Sequence, residues 1–227
     1  MPTYRSEKTK KLALSAIFAA LAFLVTLIPA PKVDFLSFDI KDTVIATASL
    51  ILGPGAAVAL SLLVPLLEAI SVGTTGPWGL LMDVISTMSF SLTVSLIYKF
   101  RKTLGGAVLA LGSAAVVQVA MMMLANILIT PLYTGAPRSA VIAMLLPLLL
   151  PFNAVKSVFN ASLVMLLYKP TVEALRRARI LRPAASVGKG YRFGGRSVLV
   201  LVISLLVTVA AALLLFLVLD AAWESAV

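Results

Sequence analysis

Apolar residues along the chain form long stretches that are separated by short polar segments. A membrane-spanning helix needs about 20 mostly apolar residues, and seven stretches approach that length: 12–28, 38–52, 55–70, 80–98, part of 104–132, 140–168 and 197–219. Pro147 and Pro151 interrupt the sixth stretch. We expect its main helix to begin at Pro151, because proline is favoured at the first helical position. The pattern predicts an all-α integral membrane protein.

The composition supports this prediction and excludes several kinds of chemistry. Of the 227 residues, 61% are hydrophobic and 12% are charged, and the mean hydropathy is +1.07, well above the values of soluble domains. The chain has no cysteine and no histidine, so disulfides, thiol chemistry and the commonest general base are excluded. Histidine is also the commonest transition-metal ligand, so we expect no bound metal.

The net charge of +10 comes from loop residues, so we attribute it to membrane topology and not to nucleic-acid binding. The N-terminus resembles a signal peptide, but we expect a retained first helix because more membrane segments follow. An N-terminus in the cytoplasm places three basic clusters inside and the C-terminus outside, and leaves only Lys32 and Arg138 in the outer loops. The clusters are Arg5, Lys8, Lys10 and Lys11; Lys99, Arg101 and Lys102; and Lys169, Arg176, Arg177, Arg179, Arg182, Lys189, Arg192 and Arg196.

Three parts follow from this distribution. Residues 1–170 form a six-helix body, residues 171–196 a basic cytoplasmic linker, and residues 197–227 an additional seventh helix with a short outer tail. The linker segment "TVEALRRARI" is predicted to be a surface helix held by anionic lipid.

A lysine lies inside the sixth apolar stretch, in "LLLPFNAVKSVFN". A charge in a membrane costs about 2.5–3.5 kcal/mol on insertion scales, so it indicates a functional site. Asn153, Lys156 and Asn160 share one helix face. The alternative is a lysine that snorkels to the interface beside amides that bond to a neighbouring helix.

Further polar candidates lie on other segments. Asn126 is predicted near the outer end of the fifth helix, with Gln118 two turns deeper, although amides also join membrane helices. The glycine-rich segment "SVGTTGPWGLLMD" has no Lys-Ser/Thr ending and is not a P-loop. Ala16 and Ala20 form a small-xxx-small pair, which permits close helix approach.

Four segments together resemble a known family. They are "FDIKDTVIATASLILGPGAAVA", "TTGPWGLLMD", "LANILITPLYTG" and "MLLPLLLPFNAVKSVFN". The chain resembles the substrate-binding S component of energy-coupling factor (ECF) vitamin transporters, in particular the riboflavin-specific, RibU-type subfamily. The resemblance covers about residues 10–170, and the seventh helix departs from the six-helix pattern of the family.

The resemblance implies an uptake module in the cytoplasmic membrane that is not an enzyme, has no ATPase of its own, and takes riboflavin as a transported ligand and not as a cofactor. Such proteins bind a vitamin outside and dock on a transmembrane coupling subunit with two ATPase subunits. Asn126, Asn153 and Lys156 match family positions that contact the riboflavin ring, and the Ala16–Ala20 pair matches the docking motif. Lys156 would donate to a ring carbonyl or nitrogen without a full ion pair. We expect Asp39, Thr43 and Tyr133 to contact the polyol tail or form the lid.

Rival functions remain open at this point. The cargo could be flavin mononucleotide (FMN) or another vitamin, with a phosphate meeting Lys156, Lys41 or Arg138. A seven-helix photoreceptor with retinal on Lys156 lacks a carboxylate counter-ion at matching depth. An intramembrane hydrolase lacks histidine and an Asp pair, and a Ser–Lys dyad is not excluded by composition, although no serine has a nucleophile context.

Overall fold

The structure, a computed structural model, describes residues 4–28, 32–33, 36–73, 76–178, 180 and 195–224, with positions 4–7, 32–33, 37, 176, 196–197 and 215–224 described as backbone only. These residues are almost entirely helical, which confirms the predicted fold class. The helices are α1 (Tyr4–Thr26), α2 (Lys41–Leu52), α3 (Pro54–Ser71), α4 (Gly76–Phe100), α5 (Leu104–Thr134), α6 (Arg138–Met144), α7 (Leu150–Arg177) and α8 (Gly195–Glu224). A hairpin of two short antiparallel strands, β1 (Lys32–Val33) and β2 (Leu36–Ser37), precedes α2.

Each predicted apolar stretch corresponds to a helix or to a joined pair of helices. Among the described residues, five segments are long and apolar enough to cross a membrane, and the fifth of them, Arg138–Leu175, joins α6 and α7. The two others are α2, with 12 residues, and α8, whose described apolar part is Val198–Leu214. The chain thus has the predicted six-helix body and a seventh apolar helix.

The sixth segment differs from the prediction at both ends of its main helix. α7 begins at Leu150 and not at Pro151, and a π-helical turn, Leu145–Leu149, joins it to α6. The turn contains Pro147, whose missing N–H prevents a regular helical bond. α7 also continues through Pro170 to Arg177, so the start of the predicted surface helix is a continuation of the span. Residues 179 and 181–194 of the basic linker lie outside the described residues.

The body is held by apolar contacts between neighbouring helices. Phe18 of α1 packs with Ile45 of α2 and Leu60 of α3, and all three are buried. A second cluster joins α2, α4, α5 and α7 around Phe90 and Val164. α2 and α3 are joined at Gly53 alone, whose φ of 99° and ψ of −178° suit glycine. These contacts place α2 in the middle of the bundle, between α1, α3, α4 and α7.

The hairpin and α8 both lie against α7. Phe38, just after β2, makes edge contacts with Phe152 and Phe159 of α7, with ring centroids 6.4 and 5.0 Å away. α8 packs along α7, where the hydroxyls of Ser162 and Thr208 lie 2.6 Å apart, and it also contacts β1. The helix beyond the body is therefore attached to the helix that carries Lys156.

Candidate functional site

The first turn of α2 carries polar side chains to the neighbouring helices. Its apolar sequence neighbours pack inward on α1 and α3, so the polar positions Lys41, Asp42 and Thr43 are buried too. Buried polar groups require partners. Each of these residues finds one on a different part of the bundle.

Lys41 joins α2 to α3 and α4. Its ammonium group lies against the Glu68 carboxylate of α3 and 2.9 Å from the Asp83 carboxylate of α4. The Lys41 side chain is 1% exposed, whereas those of Glu68 and Asp83 are 21% and 28% exposed. A buried cation is thus covered by two carboxylates that reach toward the surface.

Asp42 joins α2 to α4 and α5. Thr87 donates to its Oδ1 at 2.7 Å, and the Gln118 amide donates to its Oδ2 at 2.8 Å. Gln118 also accepts a hydrogen bond of 2.8 Å from Ser157 of α7 through its Oε1. All four residues are buried, so this is a closed network in the centre of the bundle.

Asp39, which precedes α2, forms an ion pair with Lys156 of α7. The distance from Nζ to Oδ2 is 2.7 Å, and the side chains are 11% and 9% exposed. One turn below, the Thr43 hydroxyl donates to Asn160 Oδ1 at 2.5 Å.

A cavity of about 100 Å³ opens beside Lys156. Its apolar wall comes from Leu36 of β2, from two methionines and from Phe152, and its polar groups converge from α4, α5 and α7. The lining residues are Leu36, Gly79, Met82, Asp83, Ser86, Met122, Tyr133, Phe152, Asn153 and Lys156. An apolar pocket with a few convergent polar groups is the usual form of a small-molecule site.

Three of the six predicted binding residues line this cavity: Tyr133, Asn153 and Lys156. Asp39 contacts the cavity through its ion pair with Lys156. Thr43 and Asn126 are buried beside it without lining it. The Asn126 amide donates to the Met122 carbonyl at 2.7 Å and accepts from Thr130 at 2.9 Å.

The predicted partner-docking residues lie elsewhere. Ala16 and Ala20 are exposed on α1, while Ala19 between them is buried against α2 and α3. The small-residue pair therefore faces outward from the bundle, where another helix can approach.

One electrostatic expectation was wrong. Lys156 was predicted to have no carboxylate at its depth and to form no full ion pair. In the structure the carboxylate of Asp39 lies beside it and forms an ion pair with it. Asp39 comes close to Lys156 because its neighbour Phe38 is buried against Phe152 and Phe159 of α7. Lys156 therefore has a carboxylate counter-ion, and the lack of one no longer argues against retinal bound to this lysine.

The sequence also missed Glu68. A lone carboxylate inside the third apolar stretch was the available signal, because intramembrane charges are rare and usually paired. Its partner Lys41 was noted only as a possible phosphate contact. The pairing required the packing of α2 against α3, which the sequence pattern does not supply.

Comparison with known proteins identifies the body of the chain. Residues 10–168 match the family model described as "ECF transporter, substrate-specific component". The chain belongs to this family. It is accordingly a membrane protein with a role in substrate transport, as the apolar helices require.

Relatives of this S component agree with the assignment. "Riboflavin transporter FmnP" of Bacillus subtilis (strain 168) is 30% identical over 192 residues, which cover 76% of this chain and 99% of the relative. "Riboflavin transporter RibU" of Staphylococcus aureus (strain TCH60) is 28% identical over 181 residues, covering 75% and 95%. A solved structure of the S component of a bacterial ECF transporter superposes with a TM-score of 0.64 at 25% identity, covering 75% of this chain and 99% of that one.

About a quarter of this S component has no counterpart in these relatives. The family model ends at residue 168, well before α8 begins at Gly195. The cavity residues all precede that end. The candidate site thus belongs to the shared body, and α8 is an addition to it.

Proposed function

We propose that this S component binds riboflavin in the cavity beside Lys156 and supplies it for uptake by an ECF-type transporter. The observation that carries the proposal is the convergence of Tyr133, Asn153 and Lys156 on one cavity, in a chain whose two relatives described above are riboflavin transporters.

The chemistry of the cavity fits riboflavin. The vitamin is an uncharged planar ring system with a hydrogen-bonding edge and a polyol tail. Phe152 and the methionines Met82 and Met122 offer an apolar and polarisable surface to the ring. Asn153 offers both a donor and an acceptor for the ring edge. Lys156 offers donors to a ring carbonyl.

The ion pair with Asp39 suits a neutral ligand. A lysine ammonium group has three N–H donors, and Asp39 accepts from one of them. The others can donate to the ligand while the charge of Lys156 stays compensated. A ligand in this site therefore needs no negative charge to stabilise the lysine.

The cavity must widen to take the vitamin. Pockets that hold drug-sized ligands have volumes of about 300–1,000 Å³, against about 100 Å³ here. Met82 and Met122 have flexible side chains that can change rotamer. Leu36 lies on the short hairpin, which can move more easily than a helix. We assign the lid to this hairpin and to Tyr133.

Transport requires partners. Asn126, Thr43 and Asp39 complete the site, with Asn126 at the ring and the others toward the tail. Ala16 and Ala20 form the contact with the transmembrane coupling subunit, and two separate ATPase subunits energise the uptake. The protein lies in the cytoplasmic membrane with its N-terminus in the cytoplasm and the end of α8 outside, as the basic clusters favour.

The test is direct binding to the purified full-length protein. Riboflavin fluorescence is quenched when the ring enters an apolar site, so titration in detergent gives the affinity. We expect tight binding of riboflavin, no binding of thiamin, and riboflavin in the mass spectrum of small molecules that co-purify. A folded protein that leaves riboflavin fluorescence unchanged would refute the proposal.

A further inference from the structure

Among the described residues, carboxylates outnumber ammonium groups around the first turn of α2. The charged side chains here form a set drawn from α2, α3, α4 and α7 and from the segment before α2. The set consists of the cations Lys41 and Lys156 and the carboxylates Asp39, Asp42, Glu68 and Asp83.

Both cations of this set already have carboxylate partners. Lys156 is paired with Asp39 at 2.7 Å. Lys41 is paired with Glu68 and with Asp83, the latter at 2.9 Å. An anion that entered the cavity would have to displace a carboxylate from one of these lysines. The displaced carboxylate would then be left partly buried without its partner, which is strongly unfavourable.

The two carboxylates that pair with Lys41 are more exposed than the lysine. Lys41 is 1% exposed, whereas Glu68 and Asp83 are 21% and 28% exposed, and Asp83 lines the cavity itself. A ligand group in the cavity thus meets the negative charge of Asp83, with that of Glu68 on the other side of Lys41. A site with low-dielectric walls strengthens such repulsion.

We propose that Asp83 and Glu68 are specificity-determining residues that make the site select uncharged riboflavin against its phosphate ester. This inference rests on the proposed riboflavin function. A phosphate ester carries a charge of about −1.5 to −2 at neutral pH, and it finds no free ammonium group in the described lining of the cavity. The hydroxyl groups of the uncharged tail can instead donate hydrogen bonds to the same carboxylates.

Two measurements on the full-length wild-type protein test the proposal first. We expect FMN to bind at least ten-fold more weakly than riboflavin. Because salt screens repulsion between partly exposed charges, we expect FMN affinity to increase as NaCl is raised from 50 to 500 mM, with riboflavin affinity unchanged. Equal affinities for the two flavins, or FMN affinity that falls with salt, would overturn the inference.

Variants then assign the effect to residues. Asp83→Asn and Glu68→Gln keep the size of each side chain and remove its charge, and each should reduce the FMN-to-riboflavin ratio of Kd values at least three-fold. Glu173→Gln is the matched control, because Glu173 lies about 26 Å from Lys156 along the axis of α7. This variant should leave the ratio of Kd values unchanged. A ratio that is unchanged in both test variants contradicts the assignment. If either variant fails to fold, the salt dependence of the wild type decides.

The outcomes separate this inference from the proposed function. A folded wild-type protein that binds riboflavin and FMN equally refutes the charge selection alone. One that binds neither flavin refutes the proposed function, and the selection with it.

Discussion

Lys156 of α7 and Asp39, 117 residues apart in the chain, face each other with 2.7 Å between Nζ and Oδ2. The pair fixes the segment before α2 against the helix that carries Asn153. It also places a charged donor beside the cavity without leaving its charge uncompensated. The candidate site and the packing of the segment before α2 therefore depend on the same contact.

Separating these two roles is the first test. Lys156→Met leaves Asp39 nearly buried without its partner, so we expect about 3 kcal/mol of lost stability together with at least a ten-fold loss of riboflavin affinity. The double variant Asp39→Asn/Lys156→Met removes both charges. It should recover most of the melting temperature but not the affinity. Recovery of both quantities would show that Lys156 is structural only.

The Gln118 network provides a test of stability. Gln118→Leu removes the amide that donates to Asp42 and Ser86 and accepts from Ser157, which leaves three buried groups short of a partner. We expect a loss of about 2–3 kcal/mol, measured as a lower melting temperature in detergent. Gln118→Glu keeps the shape but places a second carboxylate beside Asp42, and it should be at least as destabilising. A leucine variant as stable as the wild type would contradict the network.

Removal of α8 should leave binding intact. None of the cavity residues lies on α8, and the relatives align over 99% and 95% of their lengths with about three-quarters of this chain. A chain that ends after Ala178 should bind riboflavin within three-fold of the wild type. Its melting temperature should fall, since the Ser162–Thr208 contact is lost. A complete loss of binding would mean that α8 supports the site through α7.

Docking on a coupling subunit can be separated from binding. Ala16→Leu with Ala20→Leu adds bulk to an exposed face of α1, which prevents close approach of another helix. We expect riboflavin uptake by cells to fall to background while the purified protein keeps its affinity. Ala120→Leu, at an exposed position of α5, is the control and should transport normally. Normal uptake in the α1 variant would move the docking surface elsewhere.

The sequence predicted the fold because apolar length alone determines where a chain can cross a membrane. All seven stretches became helical, and the body matched the resemblance. The predicted ends of the helices were less accurate. α2 begins three residues later than predicted, at Lys41, since the residues before it pack on α7.

The site was only partly predictable, for a physical reason. Lys156 and Asn153 were identified because a charge and an amide are costly among apolar residues. The partners of Lys156 and Lys41 come from other segments, and no local pattern specifies which carboxylate meets which lysine. The contacts of Glu68 and Asp42 depend on the position of α2 between α3, α4 and α5.

The shortness of α2 has a consequence for the route of the cargo. Its 12 residues measure about 18 Å, against about 30 Å of hydrocarbon. If the turn at Gly53 lies at the cytoplasmic boundary, as the proposed topology requires, the first turn of α2 starts about 12 Å beneath the outer boundary. A vitamin bound beside Lys156 as proposed would then lie more than a third of the way across the apolar barrier before any nucleotide is hydrolysed.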